Sequence, residues 1–234
     1  MSANQNIEIS NPEEYDQLCQ EYMSALYQGI SGFISYEPGE KEEGEKSKVY
    51  LTYGEMLYPS VNKIINYLGD INENDVFYDL GSGIGKINLQ FFLRTSIKKA
   101  CGIEYSETRN KFSEQVYAQV KQEFPEILAG RTLDCINGNF LQQDISDATI
   151  IYACSTCYSD ELLADIGRMI DEKCPNIRYI ASNKQIPNNR IPFDRALEVE
   201  CSWDKTHWQI YGSPKGQIIP DTIPEATPEI TSPE

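Results

Sequence analysis

Val76-Phe77-Tyr78-Asp79-Leu80-Gly81-Ser82-Gly83-Ile84-Gly85-Lys86 is the segment from which the architecture follows. A β-prone apolar run ends on an acidic residue, and glycine then recurs at every second position. Ile87-Asn88-Leu89-Gln90-Phe91-Phe92-Leu93 comes next and opens an apolar helical pattern. Strand, glycine turn and helix is the layout of phosphate and dinucleotide loops, but both standard versions fail on spacing. A dinucleotide fingerprint needs a third Gly or Ala three residues after the second, where this chain has Lys86. A Walker loop needs four residues between its glycines, then Lys and Ser/Thr. Here the interval from Gly81 to Gly85 is one residue short, and Ile87 replaces the hydroxyl.

What remains is Asp-x-Gly-x-Gly-x-Gly, which resembles the cofactor loop of Rossmann-like methyltransferases that use S-adenosyl-L-methionine (SAM). Gly81 and Gly83 let backbone approach a bulky ligand, and Asp79 at the strand end is placed to accept from the ligand's ammonium. Lys99-Ala100-Cys101-Gly102-Ile103 reads as the second strand and ends on Glu104. An acid about twenty residues past the loop, at a strand end, is placed for a ribose diol.

The rest of the chain supplies the remaining layers. Asn11-Pro12-Glu13-Glu14 starts an amphipathic helix that runs to about Gly29, with an acidic polar face. Tyr36 to Lys48 is rich in Glu, Lys and Gly and reads as a mobile surface loop. A helix carrying Leu57, Val61, Ile64, Ile65 and Leu68 precedes the glycine segment, and a second, capped by Ser106, runs to Phe124. Strands are expected at Arg131–Asn137, Ala148–Tyr152 and Arg178–Ser182, with a helix capped by Ser159 between the last two. Ala196–Cys201 and His207–Tyr211 form a closing antiparallel pair. The expected fold is α/β: a seven-stranded, mostly parallel sheet with a terminal antiparallel hairpin and a small helical segment in front. Residues 1–50 form the helix and acidic loop, 51–212 the methyltransferase domain, and 213–234 a disordered Pro/Glu-rich tail.

Composition narrows the partners. Net charge is -16, from 20 basic against 36 acidic residues, which opposes direct contact with nucleic acid or an anionic membrane and favours a basic protein. No apolar run reaches membrane-spanning length and no signal peptide opens the chain, so the seven cysteines are expected reduced and the location cytoplasmic. Cys154-Ser155-Thr156-Cys157 is a lone CxxC. Without a second pair, and with His207 some fifty residues distant, it points to structural thiols rather than zinc.

Several segments together resemble the disruptor-of-telomeric-silencing family, the histone lysine methyltransferases that lack a SET domain. Thr52-Tyr53-Gly54-Glu55 matches that family's loop over the cofactor, and Phe77 to Lys86 matches its cofactor loop nearly residue for residue. Gly102-Ile103-Glu104 matches its ribose-binding strand end, Gly138-Asn139-Phe140-Leu141 its adenine segment, and Ser202-Trp203 with the following strand its final aromatic hairpin. The resemblance implies cofactor contacts at Tyr53, Glu55, Asp79, Gly81, Gly83, Lys86, Glu104, Asn139, Phe140 and Cys154, with SAM as the cofactor and no metal. Three departures stand out. Cys154 replaces the usual Asn, Asn139 the usual Asp, and Lys86 a common Gln, where it could pair with the SAM carboxylate. The family's basic nucleosome-binding segment is missing, so the resemblance points to protein lysine methylation more than to the histone core.

The chemistry expected is in-line methyl transfer to a neutral lysine amine, with an aromatic channel favouring the neutral form by desolvation. Tyr53, Phe140, Tyr158, Trp208 and Tyr211 are assigned to that channel, and Ser155 to orienting the amine. Tyr53, Ser155, Trp208 and Tyr211 are thus the candidate catalytic set. A small-molecule acceptor, another protein atom, or a cofactor-binding module without activity are the alternatives.

Overall fold

The computed structural model describes residues 11–33 and 53–216. The expected mobile loop and most of the expected tail therefore lie outside the described residues. Helix α1 (Pro12–Leu26) is capped by Asn11, whose side chain accepts from the Glu14 N–H at 2.7 Å. Helix α2 (Tyr58–Leu68) follows and stops at Gly69, which takes a φ of +78°. The glycine segment then unfolds as read: β1 (Val76–Leu80), the loop, and α3 (Lys86–Arg94). Next come β2 (Lys99–Glu104), α4 (Glu107–Glu123) with Ser106 as its cap, and β3 (Thr132–Asn137). β4 (Ile150–Ala153), α5 (Asp160–Lys173), β5 (Tyr179–Ser182) and the hairpin β6 (Phe193–Glu200) and β7 (Lys205–Tyr211) complete the chain.

The seven strands lie in the order β3-β2-β1-β4-β5-β7-β6. β1 pairs in parallel with both β2 and β4, and β7 inserts antiparallel between β5 and β6. Strand order reverses between β1 and β4, so a crevice opens at the carboxyl end of β1, where open α/β sheets take ligands. Both faces are covered. Phe77, Tyr152, Trp208 and Ile210 pack under α1 to α4, whereas Val76, Tyr78, Leu80, Ile151 and Tyr211 pack against α5. That division is the period of two along each strand. Asp79 shares the face of Phe77, and Glu104 shares that of Ala100.

Three details differ from the sequence reading. The hairpin strands are longer, β6 beginning at Phe193 and β7 at Lys205, because ladder pairing extends through residues too polar to signal a strand. A helical turn at Pro125–Leu128 and a 3-10 turn at Phe140–Gln142 were not expected. The packed body also runs beyond Gly212: the Lys215 and Gly216 N–H groups donate to the Leu68 and Tyr67 carbonyls at the end of α2.

Candidate functional site

Asp79 and Glu104 arrive at the crevice on adjacent parallel strands. The pairing sets Asp79 opposite Gly102, so Glu104, two residues on, lies on the same face one step beyond. The Gly83 N–H donates to Glu104 Oε2 at 2.7 Å, and the Ser106 N–H to Oε1 at 2.9 Å. These bonds tie the glycine loop to the end of β2. Asp79 is 1% exposed, and its Oδ1 has no partner among the described residues. Burial, with the Glu104 charge adding, raises its carboxyl well above the usual carboxylate range. An unpartnered buried carboxyl oxygen at the mouth of a crevice suits a ligand cation.

The glycine loop is bare by necessity. Gly81 has φ +86°, and a Cβ there would stand 2.3 Å from the Tyr158 hydroxyl; Gly83 has φ +58°, and a Cβ there would meet the Tyr53 ring at 2.6 Å. Tyr53 thus lies directly over the loop. Its hydroxyl bonds Glu55 Oε1 at 2.5 Å, while Glu55 Oε2 pairs with Lys86 Nζ at 2.7 Å. Lys86 Nζ also sits 5.3 Å from the Tyr27 ring centroid, and Tyr27 donates to the Ile84 carbonyl at 3.1 Å. Lys86 therefore meets Glu55 rather than standing open for a ligand carboxylate.

Arg109, not singled out from sequence, backs this strap. It is buried on α4, its guanidinium lies 4.9 Å from the Tyr53 ring, and its Nε donates to the Gly32 carbonyl at 3.2 Å. No local motif marks it. Only its position one turn into the helix after Glu104 hints at the crevice.

Beyond the strap, Asn139 Oδ1 accepts from the Leu141 N–H at 2.9 Å and caps the 3-10 turn. Phe140 stacks obliquely on Tyr158, with centroids 5.9 Å apart, and Tyr158 donates to the Leu80 carbonyl at 2.7 Å. On the other side of Tyr158 a cavity of about 250 Å³ opens between Phe33, Tyr53, Gly54, Cys154, Tyr158 and Trp203. Thr156, Cys157 and Ser202 complete its wall, and none of the described residues lining it is charged. Burial pushes the Cys154 thiol up to about 12, with the nearby Asp79 and Cys201 adding, so Cys154 rests as a neutral thiol in the wall.

Three residues of the expected catalytic set leave the channel. Ser155 is fully buried: its Oγ lies 2.7 Å from Ser182 Oγ, bonds Asn183 Oδ1 at 2.9 Å and accepts from the Lys184 N–H at 3.0 Å. It holds the loop after β4 instead of orienting an amine. Trp208 is fully buried and stacks on Tyr152 at 5.6 Å, a core role. Tyr211 points to the opposite face of the sheet, where its hydroxyl accepts from the Ile186 N–H at 3.0 Å. An offset of three along a strand puts Trp208 and Tyr211 on opposite faces, so they cannot line one channel. Trp203 lines the cavity instead. It is 42% exposed, and a Cβ on Gly54 would meet its ring at 2.3 Å. Its signal was a large apolar residue in a short polar hairpin loop.

The family model described as "Histone methylation protein DOT1" matches residues 43–209. A histone-lysine N-methyltransferase, H3 lysine-79 specific, from Caenorhabditis elegans is 26% identical over 163 residues, 65% of this chain and 17% of that protein. A protein-lysine N-methyltransferase from Saccharolobus islandicus is 29% identical over 118 residues, 49% of this chain and 65% of that protein. The chain spans less than a fifth of the length of the animal relatives it matches. Among solved structures, geranyl diphosphate C-methyltransferase from Streptomyces coelicolor superimposes with a TM-score of 0.50 at 13% identity, covering 79% of this chain and 82% of that one. At that identity the likeness shows a shared fold.

Proposed function

The chain belongs to the DOT1 histone-methylation family, and from that membership we propose that it is a SAM-dependent protein lysine N-methyltransferase. One observation carries the reading. Tyr53 and Tyr158 both cover the glycine loop and both line the aromatic cavity, so a cofactor cleft and an acceptor pocket share a wall.

The residues fit the cofactor. The buried, unpartnered Asp79 Oδ1 suits an ammonium, the bare backbone at Gly81 and Gly83 leaves room for a nucleoside, and Glu104 stands one strand over for the ribose. Asn139 and Phe140 flank the adenine end, and Glu55 and Lys86 the amino-acid end. SAM supplies a methyl already activated on a sulfonium. The protein's part is alignment and dehydration, and well-oriented reactants gain about 7–11 kcal/mol. A lysine with a reference pKa near 10.4 must shed its proton first. The cavity of Tyr53, Tyr158, Cys154 and Trp203 favours the neutral amine, because among the described residues its wall is rings, thiols and hydroxyls with no carboxylate to stabilise the ammonium.

The acceptor in this proposal is a lysine on a basic protein, in the cytoplasm, reached without nucleic acid. The net charge of -16 supports that choice. Incubating the protein with methyl-labelled SAM and a cell lysate, then hydrolysing the products, tests it. Labelled methyl-lysine is the expected result. Label recovered in a small molecule, or none despite tight SAM binding by calorimetry, overturns it.

A further inference from the structure

The proposed transfer uses neither thiol of the CxxC segment as a reacting group, yet the fold brings both of its sulfur-bearing residues to one place. Cys154 and Cys157 line the same cavity, facing Tyr53 and Trp203. The peptide between them is pinned inward. Ser155 is anchored to Ser182, Asn183 and Lys184, and Asn183 Nδ2 donates to Thr156 Oγ1 at 2.6 Å. The Tyr158 N–H then closes a turn on the Ser155 carbonyl at 2.9 Å. With Ser155 buried, the cysteines on either side of it are left on the cavity wall. Both are free and partly exposed, unlike Cys19, Cys101, Cys174 and Cys201, which are buried.

We propose that Cys154 and Cys157 form a modification site inside the acceptor cavity: a dithiol that hydrogen peroxide converts to an intramolecular disulfide, blocking entry of the acceptor side chain while the cofactor cleft stays intact. Cys157, on the turn, reacts first. Its sulfur attacks the peroxide O–O bond, which breaks to give a sulfenic acid and one water. The Cys154 sulfur then attacks the sulfenic sulfur; the S–S bond forms, the S–O bond breaks, and the departing oxygen leaves as a second water with the Cys154 proton. Two thiols and one peroxide thus become one disulfide and two waters. In a reducing compartment such a pair is a transient regulatory bond rather than a structural one. Asp79 and Glu104 do not line this cavity, so the bridge would leave in place the carboxylates assigned to SAM. The effect on transfer rests on the lysine methyltransferase reading; the disulfide itself does not.

The experiment treats the full chain with hydrogen peroxide, maps disulfides by peptide mass, and follows SAM binding by calorimetry beside methyl transfer to a lysine-rich protein. The expected results are a mass loss of about 2 Da mapped to a Cys154–Cys157 bridge, SAM affinity within about twofold, and a transfer rate at least ~10-fold lower that dithiothreitol restores. In Cys157→Ser, whatever its own rate, peroxide should cause no loss that dithiothreitol reverses. A peroxide-treated protein with no bridge between these residues overturns the proposal, as does an equal reversible loss in Cys157→Ser. Absence of transfer by the reduced protein counts against the proposed function alone, and disulfide mapping still decides this site.

Discussion

The proposed cofactor cleft and the proposed acceptor cavity adjoin but are built in opposite ways. The cleft is local. Asp79, the glycine loop and Glu104 belong to one strand-loop-helix-strand unit of 29 residues, Val76 to Glu104, whose parallel register sets both carboxylates on one face. The cavity is assembled from remote pieces: Phe33 beyond α1, Tyr53 and Gly54 ahead of α2, the turn after β4, and the loop between β6 and β7. The cleft presents acids, while the cavity presents rings, thiols and hydroxyls. A charged cofactor that changes little between enzymes can be held by a compact motif. A variable acceptor is met by loops that a rigid sheet brings together.

Substitutions should separate the two regions sharply. The largest effect is expected away from both: Trp208→Ala empties a fully buried site and should cost about 3–5 kcal/mol in denaturant unfolding. A folded variant of near-native stability that loses transfer would return Trp208 to the channel. Asp79→Asn comes next. It should weaken SAM binding on the order of 100-fold, the loss of one charge-assisted hydrogen bond, yet raise Tm by roughly 2–4 °C because a buried carboxyl without a partner is removed. If affinity holds, the ammonium assignment fails; if stability falls, Asp79 is a structural residue.

The same carboxyl predicts a pH dependence. Its pKa in the folded, ligand-free protein is raised by burial and Glu104, above its unfolded value. The folded state therefore holds a proton that the unfolded state has released, and stability declines as pH climbs from about 4 to the folded pKa. An ammonium ligand favours the ionised form, so SAM affinity should rise across that window and then level. Asp79→Asn should flatten both curves, and a wild-type affinity independent of pH would remove the assignment.

Trp203→Ala is expected to lower methyl transfer about 10-fold with SAM affinity unchanged, since it lines the cavity and not the cleft. Equal loss of both would merge the two regions into one. Tyr211→Phe should show the smallest change. It forfeits the hydrogen bond from Ile186, about 1 kcal/mol of stability, and leaves transfer as it was.

Much of this molecule is legible in its sequence. The glycine spacing excluded dinucleotide and Walker loops and gave β1, α3 and β2 within a residue of their ends. Ser106 and Ser159 announced their helices, and both side chains accept from the N–H three residues on. The closing hairpin was expected, and β6 and β7 pair as read. The acceptor side was only half legible. Tyr53 and Tyr158, assigned to one channel, do line one cavity. Trp208 and Tyr211 were grouped as aromatics near one another in sequence, although the strand period already divided them. Ser155 was read by residue type, and its hydroxyl turned out to hold the loop after β4.

Sequence alone determined the parallel unit, the pair of carboxylates and the bare loop between them, because each follows from residues within one supersecondary motif and from the fixed periods of strand and helix. The tertiary structure alone decided that Trp203 borders the cavity beside Tyr158, that Arg109 backs Tyr53, that Lys86 meets Glu55, and that both thiols of the CxxC share one wall. Those facts depend on how close distant segments come in space. That distance is set by packing against a common core, and no local pattern encodes it.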